Sequence, residues 1–306
     1  MSLLVVGSVA LDTVETPFGE IKEGLGGSAT YFSTAASFFT DVQLVAVIGE
    51  DFPEAHINFL KERKIDIAGL ERNMGQTFRW KGEYGYQLNE AKTLKTDLNV
   101  FESFRPKLPL SYTKADYLFL GNIDPSLQFD VMKQVVKPKL IACDTMNFWI
   151  SGSRDGLVKT LAGVDILMIN EGEARALSCE FNLMKAAKVI LALGPKTLIV
   201  KRGEYGALMF NGKKIFAVPA YPLESVFDPT GAGDSFAGGF MGVVAQNANN
   251  GDISDTTLRQ AAIYGSVMAS FCVEAFSLDR MRSLTQDDIK RRYIEFQDLT
   301  GYEYNT

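Results

Sequence analysis

The chain has 306 residues, enough for one large α/β domain or two smaller ones. Its formal net charge of −6 argues against non-specific nucleic-acid binding and against attachment to an anionic membrane surface. Anionic small substrates stay open, because a local turn can bind phosphate inside an acidic protein. Apolar residues make up 46% and charged residues 22%, which suits a chain with a substantial core. Cys143, Cys179 and Cys272 are odd in number and far apart, so a reduced, cytoplasmic protein is expected rather than a disulfide framework or a zinc site. The first residues lack a charged segment followed by a long apolar one, so no signal peptide is expected. No run approaches the roughly 18–20 apolar residues of a membrane span.

Residues 3–6 form a continuous apolar run ending at Gly7, which reads as a buried strand, with Asp12 following where strand hands over to loop. Ligands collect at that edge of an open α/β sheet, although an Asp there also serves as a turn or cap. Residues 16–25 are polar and glycine-containing and read as a hairpin outside the main sheet. Gly26-Gly27-Ser28 then opens a helical pattern through Ala29, Phe32, Ala36 and Phe39. A glycine pair at a helix start allows close approach by a ligand, and equally makes a tight turn.

Residues 42–48 are the next core strand, followed by a helix from Pro53 to about Arg63 that carries the only histidine, His56. With no second His or Cys near it, His-based catalysis is not implied. Residues 77–86 are aromatic and alternating, and join residues 13–25 in a small β-rich lid. From Tyr117 a regular rhythm begins. Strands at 117–120, 139–143, 164–169 and 197–201 end at Gly121-Asn122, Asp144, Asn170–Glu173 and Arg202-Gly203-Glu204, with helices at 126–136 and 153–161 and helical residues after Glu173 to about 193. Polar residues thus recur at one edge of a parallel sheet. Residues 207–210 and 213–218 flank Asn211-Gly212, a hairpin signal. Helices to about Ala248, over 255–274 and over 286–297 complete the chain. The expected architecture is a three-layer αβα sandwich around a mostly parallel, doubly wound sheet, one domain over 1–306 with a discontinuous lid from about 13–25 and 77–100.

The stretch Asp228-Pro229-Thr230-Gly231-Ala232-Gly233-Asp234 places two carboxylates around a turn that runs into an apolar helix. Such a turn leaves backbone N–H groups free at a helix N-terminus, where they and the helix dipole bind anions. Asp234 then sits beside any phosphate held there, ready to take a proton from an attacking hydroxyl. The combination points to phosphoryl transfer.

Together these residues resemble the ribokinase, or PfkB, family of carbohydrate kinases. The Asp228–Asp234 stretch matches its D-T-x-G-A-G-D signature, Gly26-Gly27 its N-terminal glycine pair, and Asn170-Glu171-Gly172-Glu173 its N-x-x-E motif; Asp12, and Gly203 with Gly206, fall in family order. The resemblance spans nearly the whole chain and implies phosphorylation of a hydroxyl, often a CH2OH, by ATP with Mg²⁺. It implies Asp234 as the base, with a pKa lowered by the helix N-terminus, and Gly231, Ala232 and Gly233 as the anion hole. Asn170 and Glu173 would act around Mg²⁺ and the phosphates, although N-x-x-E is more often a helix cap. Lys201, Arg202, Gly203, Gly206 and Thr230 would lie at the nucleotide. The stretch 261–271 resembles the segment that closes over adenine, or is plain core. Asp228 and Thr230 correspond to a region where many relatives hold K⁺.

Asp12, Gly26, Gly27, Tyr31 and Asn122 match acceptor positions. Two departures make the expected pocket more aromatic: Tyr31 stands where the family usually has Asn, and Asp144-Thr145-Met146-Asn147-Phe148-Trp149 replaces an Asp-Pro-Asn-x-Arg stretch. A small-sugar kinase is the first expectation, a nucleoside (adenosine-like) kinase the alternative, and a catalytically silent regulatory relative a third reading. Relatives also dimerise through the lid.

Overall fold

The computed structural model describes residues 1–247 and 253–301; the expected helix end at Ala248 lies outside them. The strands are β1 (Ser2–Val6), β2 (Ala10–Thr16), β3 (Gly19–Gly26), β4 (Asp41–Gly49), β5 (Asp66–Asn73), β6 (Phe78–Tyr84) and β7 (Ala91–Asp97). They continue as β8 (Tyr117–Leu120), β9 (Leu140–Cys143), β10 (Ile166–Asn170), β11 (Thr197–Lys201), β12 (Ala207–Asn211) and β13 (Lys214–Val218).

Nine of them form one sheet in the order β13-β12-β11-β10-β9-β8-β1-β4-β5. The run from β11 to β5 is parallel, and β12 and β13 add an antiparallel edge around the expected Asn211-Gly212 hairpin. The chain leaves β1 toward β4 on one side and returns to β8 on the other, so the loops after β1 and β8 diverge and open a crevice. Side chains of β1 alternate between two apolar clusters. Leu3 and Val5 join the helices Ser28–Ala36, Ala232–Asn247 and Asp255–Cys272, while Leu4 and Val6 join Pro125–Gln134, Arg154–Leu161, Glu171–Ser178 and Leu183–Leu191.

The Ala232–Asn247 helix is buried on nearly every side. Gly238 and Gly239 make this possible. A Cβ on the first would collide with the Phe32 carbonyl of the Ser28–Ala36 helix, and one on the second would stand 2.7 Å from the Met268 side chain and 2.9 Å from the Tyr264 carbonyl. The Ala232–Asn247 helix is thereby clamped between two neighbours.

A second sheet, β3-β2-β6-β7, forms the lid, with β2 and β6 parallel and the outer pairs antiparallel. It begins at Ala10, so Asp12 lies inside a lid strand rather than in the loop at the main sheet's edge. Pairing with β6 extends the chain there and carries the carboxylate over the crevice.

Several elements differ from expectation, among them a short helix at Asp279–Ser283. Residues 66–73 form the edge strand β5, which a sequence with only scattered apolar residues does not announce. Residues 147–152 form an extra short helix. The helical pattern after Asn170 breaks at Cys179, which adopts a left-handed conformation and divides it in two. We predict that Gly239→Val overpacks the helix pair and lowers stability by about 1–3 kcal/mol, read from urea unfolding.

Candidate active site

The Asp228–Asp234 stretch enters its helix through a turn in which the Ser235 N–H donates to the Gly231 carbonyl at 2.8 Å. The Ala232 N–H donates to the Pro229 carbonyl at 3.2 Å, so it is already engaged, whereas first-turn N–H groups on either side have no intrahelical acceptor. Gly231 has φ +76°, and the Tyr31 ring lies against its Cα where a side chain would be. Gly233 faces a cation instead. A Cβ there would stand 3.0 Å from the Lys201 Nζ.

Lys201, the last residue of β11, forms an ion pair with Asp144, the residue after β9, at 3.0 Å. Glu173, in the first turn after β10, and Asp234 complete a cluster of one ammonium and three carboxyl groups. Burial raises the Asp234 pKa to about 7, Asp144 adds to the rise and Lys201 opposes it. The expected lowering by the helix N-terminus is therefore reversed, since desolvation and a like charge outweigh it. Burial works against the Lys201 ammonium, but Asp144, Glu173 and Asp234 hold its pKa above the ordinary value.

On the acceptor side, Asp12 is buried and its carboxylate accepts from the Gly27 backbone. Burial raises its pKa to about 7, the Gly27 hydrogen bond opposes this, and Asp228 and Asp234 add to it. A Cβ on Gly26 would collide with that carboxylate, and Gly27 turns into the helix at φ +94°. Asp12 pairs in register with Trp80, so both side chains leave the lid on one face. The Trp80 ring lies across Gly82, and its Nε1–H donates to the Thr93 hydroxyl at 3.1 Å. Two places further on, Tyr84 accepts from the Thr230 hydroxyl at 3.2 Å and ties the lid to the turn.

Tyr31 departs from its expected place. It is 1% exposed and lies beneath the Gly231 turn, its hydroxyl without a partner, so it supports the anion site instead of lining an open pocket. Asn122 accepts from the Trp149 Nε1–H at 3.0 Å and lies among Met146 and Trp149 after β8.

On the nucleotide side, Asn170 and Glu173 form a reciprocal capping box, each side chain bonded to the other's N–H at 2.8 Å. The cap reading of N-x-x-E therefore holds, and one Glu173 oxygen is engaged. Gly203 and Gly206 take φ +56° and +80° in the β11–β12 loop, where the lid residue Asn89 accepts from the Glu204 N–H at 3.3 Å. Arg202 pairs with Glu171 at 2.8 Å. The stretch 261–271 is largely core. The two Asp228 oxygens accept from the Thr230 and Ser277 N–H groups at 2.9 and 3.0 Å, one bond each.

Sequence reasoning did not nominate Asp144, Trp80 or Tyr84. The strand-end rule that selected Asp12 marked Asp144 at the sheet's edge without giving it a role. For Trp80 only the aromatic alternation of residues 77–86 was a signal.

A family model of pfkB family carbohydrate kinases matches residues 2–283. The chain belongs to this family. The kinase is 29% identical over 248 residues to the cytidine kinase of Thermococcus kodakarensis, covering 79% of this chain and 87% of that one. Its fold matches the nucleoside kinase of Methanocaldococcus jannaschii with a TM-score of 0.77, at 20% identity over 96% of this chain and 98% of that one. It matches the ribokinase of Giardia lamblia with a TM-score of 0.79, at 20% identity over 96% and 99%. The kinase thus has the ribokinase-like α/β fold and is a phosphotransferase. No helix among the described residues is long and apolar enough to cross a membrane.

The raised carboxyl groups give the kinase a pH signature. Asp12 and Asp234 bind protons more tightly folded than unfolded, so their contribution to stability is complete below pH 4 and is lost as pH rises through about 7. Between pH 5 and 8 the melting temperature of the ligand-free kinase should fall by a few degrees. Asp234→Asn should flatten that slope in thermal unfolding.

Proposed function

We propose that this kinase transfers the γ-phosphoryl group of ATP to a CH2OH hydroxyl of a nucleoside. The carrying observation is the lid face on which Asp12 and Trp80 lie side by side. A carboxylate accepts two hydrogen bonds from a vicinal diol, and an indole beside it offers a stacking surface to a base. A free sugar has the diol and no base. The likeness to a cytidine kinase supports the same choice, so the nucleoside takes precedence over the small sugar expected from the motifs.

In this reading the acceptor hydroxyl attacks the γ-phosphorus, the new O–P bond forms as the β–γ bridging bond breaks, and Asp234 takes the hydroxyl proton. A base with its pKa raised to about 7 suits that transfer at neutral pH. The unengaged N–H groups of Gly231 and Gly233 hold the phosphoryl charge, with the Lys201 ammonium beside Gly233. Gly203 and Gly206 shape the loop beside the nucleotide.

Among the described residues no group of three or more His, Cys, Asp or Glu is arranged to hold a metal on its own. That fits Mg²⁺, which keeps several waters and joins one or two carboxylates to nucleotide phosphates. The unengaged Glu173 oxygen would hold its hydration shell, and the ion would neutralise charge on the phosphates.

Asp234→Asn should lower kcat by about 10³-fold while calorimetry still records ATP binding; near-normal kcat would show another base. ADP release measured with cytidine, uridine, adenosine, inosine, ribose and fructose should favour a nucleoside by about tenfold or more in kcat/KM. A sugar winning that panel overturns the acceptor assignment. Trp80→Ala should raise the nucleoside KM by about tenfold or more with kcat less affected.

A further inference from the structure

The intact Lys201–Asp144 pair is a weak source of net stability. Lys201 is 16% exposed and Asp144 8%, and taking both charges out of water costs much of what their attraction returns. The pair spans the end of β10, joining strands two places apart in the sheet. Asp144 is fixed from its own side, because its second oxygen accepts from the Thr145 N–H at 2.7 Å. The ammonium it holds rests against Gly233, at the turn where phosphoryl charge develops. The charges of Glu173 and Asp234, like that of Asp144, favour the same ammonium. If Lys201 moved to Asp234, the base would be neutralised and the cation lost from the turn.

Building on Asp234 as the base, we propose that Asp144 is a positioning residue that keeps the Lys201 ammonium under the Gly231–Gly233 turn and off Asp234. The cation then acts on the transferred phosphoryl, and Asp234 stays free for the acceptor's proton. The charged groups facing Asp234 are Asp144 after β9, Lys201 at the end of β11, Glu173 from the helix after β10 and Asp12 from the lid.

The test is the pH profile of kcat in the full-length kinase with ATP, Mg²⁺ and its best acceptor. Asp144→Asn removes a like charge from Asp234 and frees the cation to approach it, so the acid limb should move to lower pH. At the same time kcat should fall by about 10²-fold, with the acceptor KM little changed. Lys201→Gln should move the limb the opposite way, and Asp144→Glu should recover part of kcat. A contribution to folding alone would change the active fraction without moving either limb. Unchanged kcat and limb in folded Asp144→Asn overturn the positioning role. Should that variant not unfold cooperatively, Lys201→Gln decides: an upward limb with reduced kcat supports the role, and an unmoved limb overturns it. Asp234→Asn separates the two levels, because its loss of activity beside an unaffected Asp144→Asn leaves the base in place and removes only the positioning role.

Discussion

One ammonium shared among three carboxyl groups organises the catalytic edge of this kinase. Asp144, Glu173 and Lys201 come from the ends of three neighbouring parallel strands, and Asp234 descends on them from a helix clamped by glycine contacts. Each carboxyl group alone is costly to bury, and two of them have raised pKa values for that reason. The Lys201 charge makes the group tolerable. The same crowding holds the Asp234 pKa near neutral pH.

The lid supplies the other half of the site and is bonded to the core at both ends of the cleft. Tyr84 meets Thr230 at the anion turn, and Asn89 meets Glu204 at the nucleotide-side loop. Thr16 donates to the Phe227 carbonyl at 2.9 Å, fixing the base of the lid beside Asp228. The second sheet is therefore tied by hydrogen bonds to the Thr230 turn, to the β11–β12 loop and to the segment before Asp228. Burial of Asp12 and Tyr31 shows how little room these contacts leave for water.

Much of the chemistry was legible because it is local. Asp234 and the Gly231–Gly233 turn follow from a seven-residue stretch, since a helix start and its first-turn carboxylate need no distant partner. Asn170 and Glu173 were equally local, and proved to cap their own helix. Tyr31 was misplaced because a change from Asn to an aromatic residue does not tell whether the ring faces the cleft or the core. Its partner, Gly231, is 200 residues away in the chain, and only packing brings them together. The pKa of Asp234 failed for a related reason: the helix dipole is readable from sequence, while burial and Asp144 are not.

The sequence by itself determined most of the strand rhythm, the Asp228–Asp234 turn at a helix start and the family these motifs share, because each depends on residues a few places apart. The tertiary structure decided what surrounds the base. It alone joined Asp144 to Lys201 across 57 residues, laid Trp80 beside Asp12 across 68 and buried Tyr31 beneath the turn, since parallel strands and a two-part lid are assembled from segments far apart in the chain. Phosphoryl transfer was therefore readable from the motifs, whereas the surroundings of Asp12, Trp80 and Tyr31 exist only once the two sheets have come together.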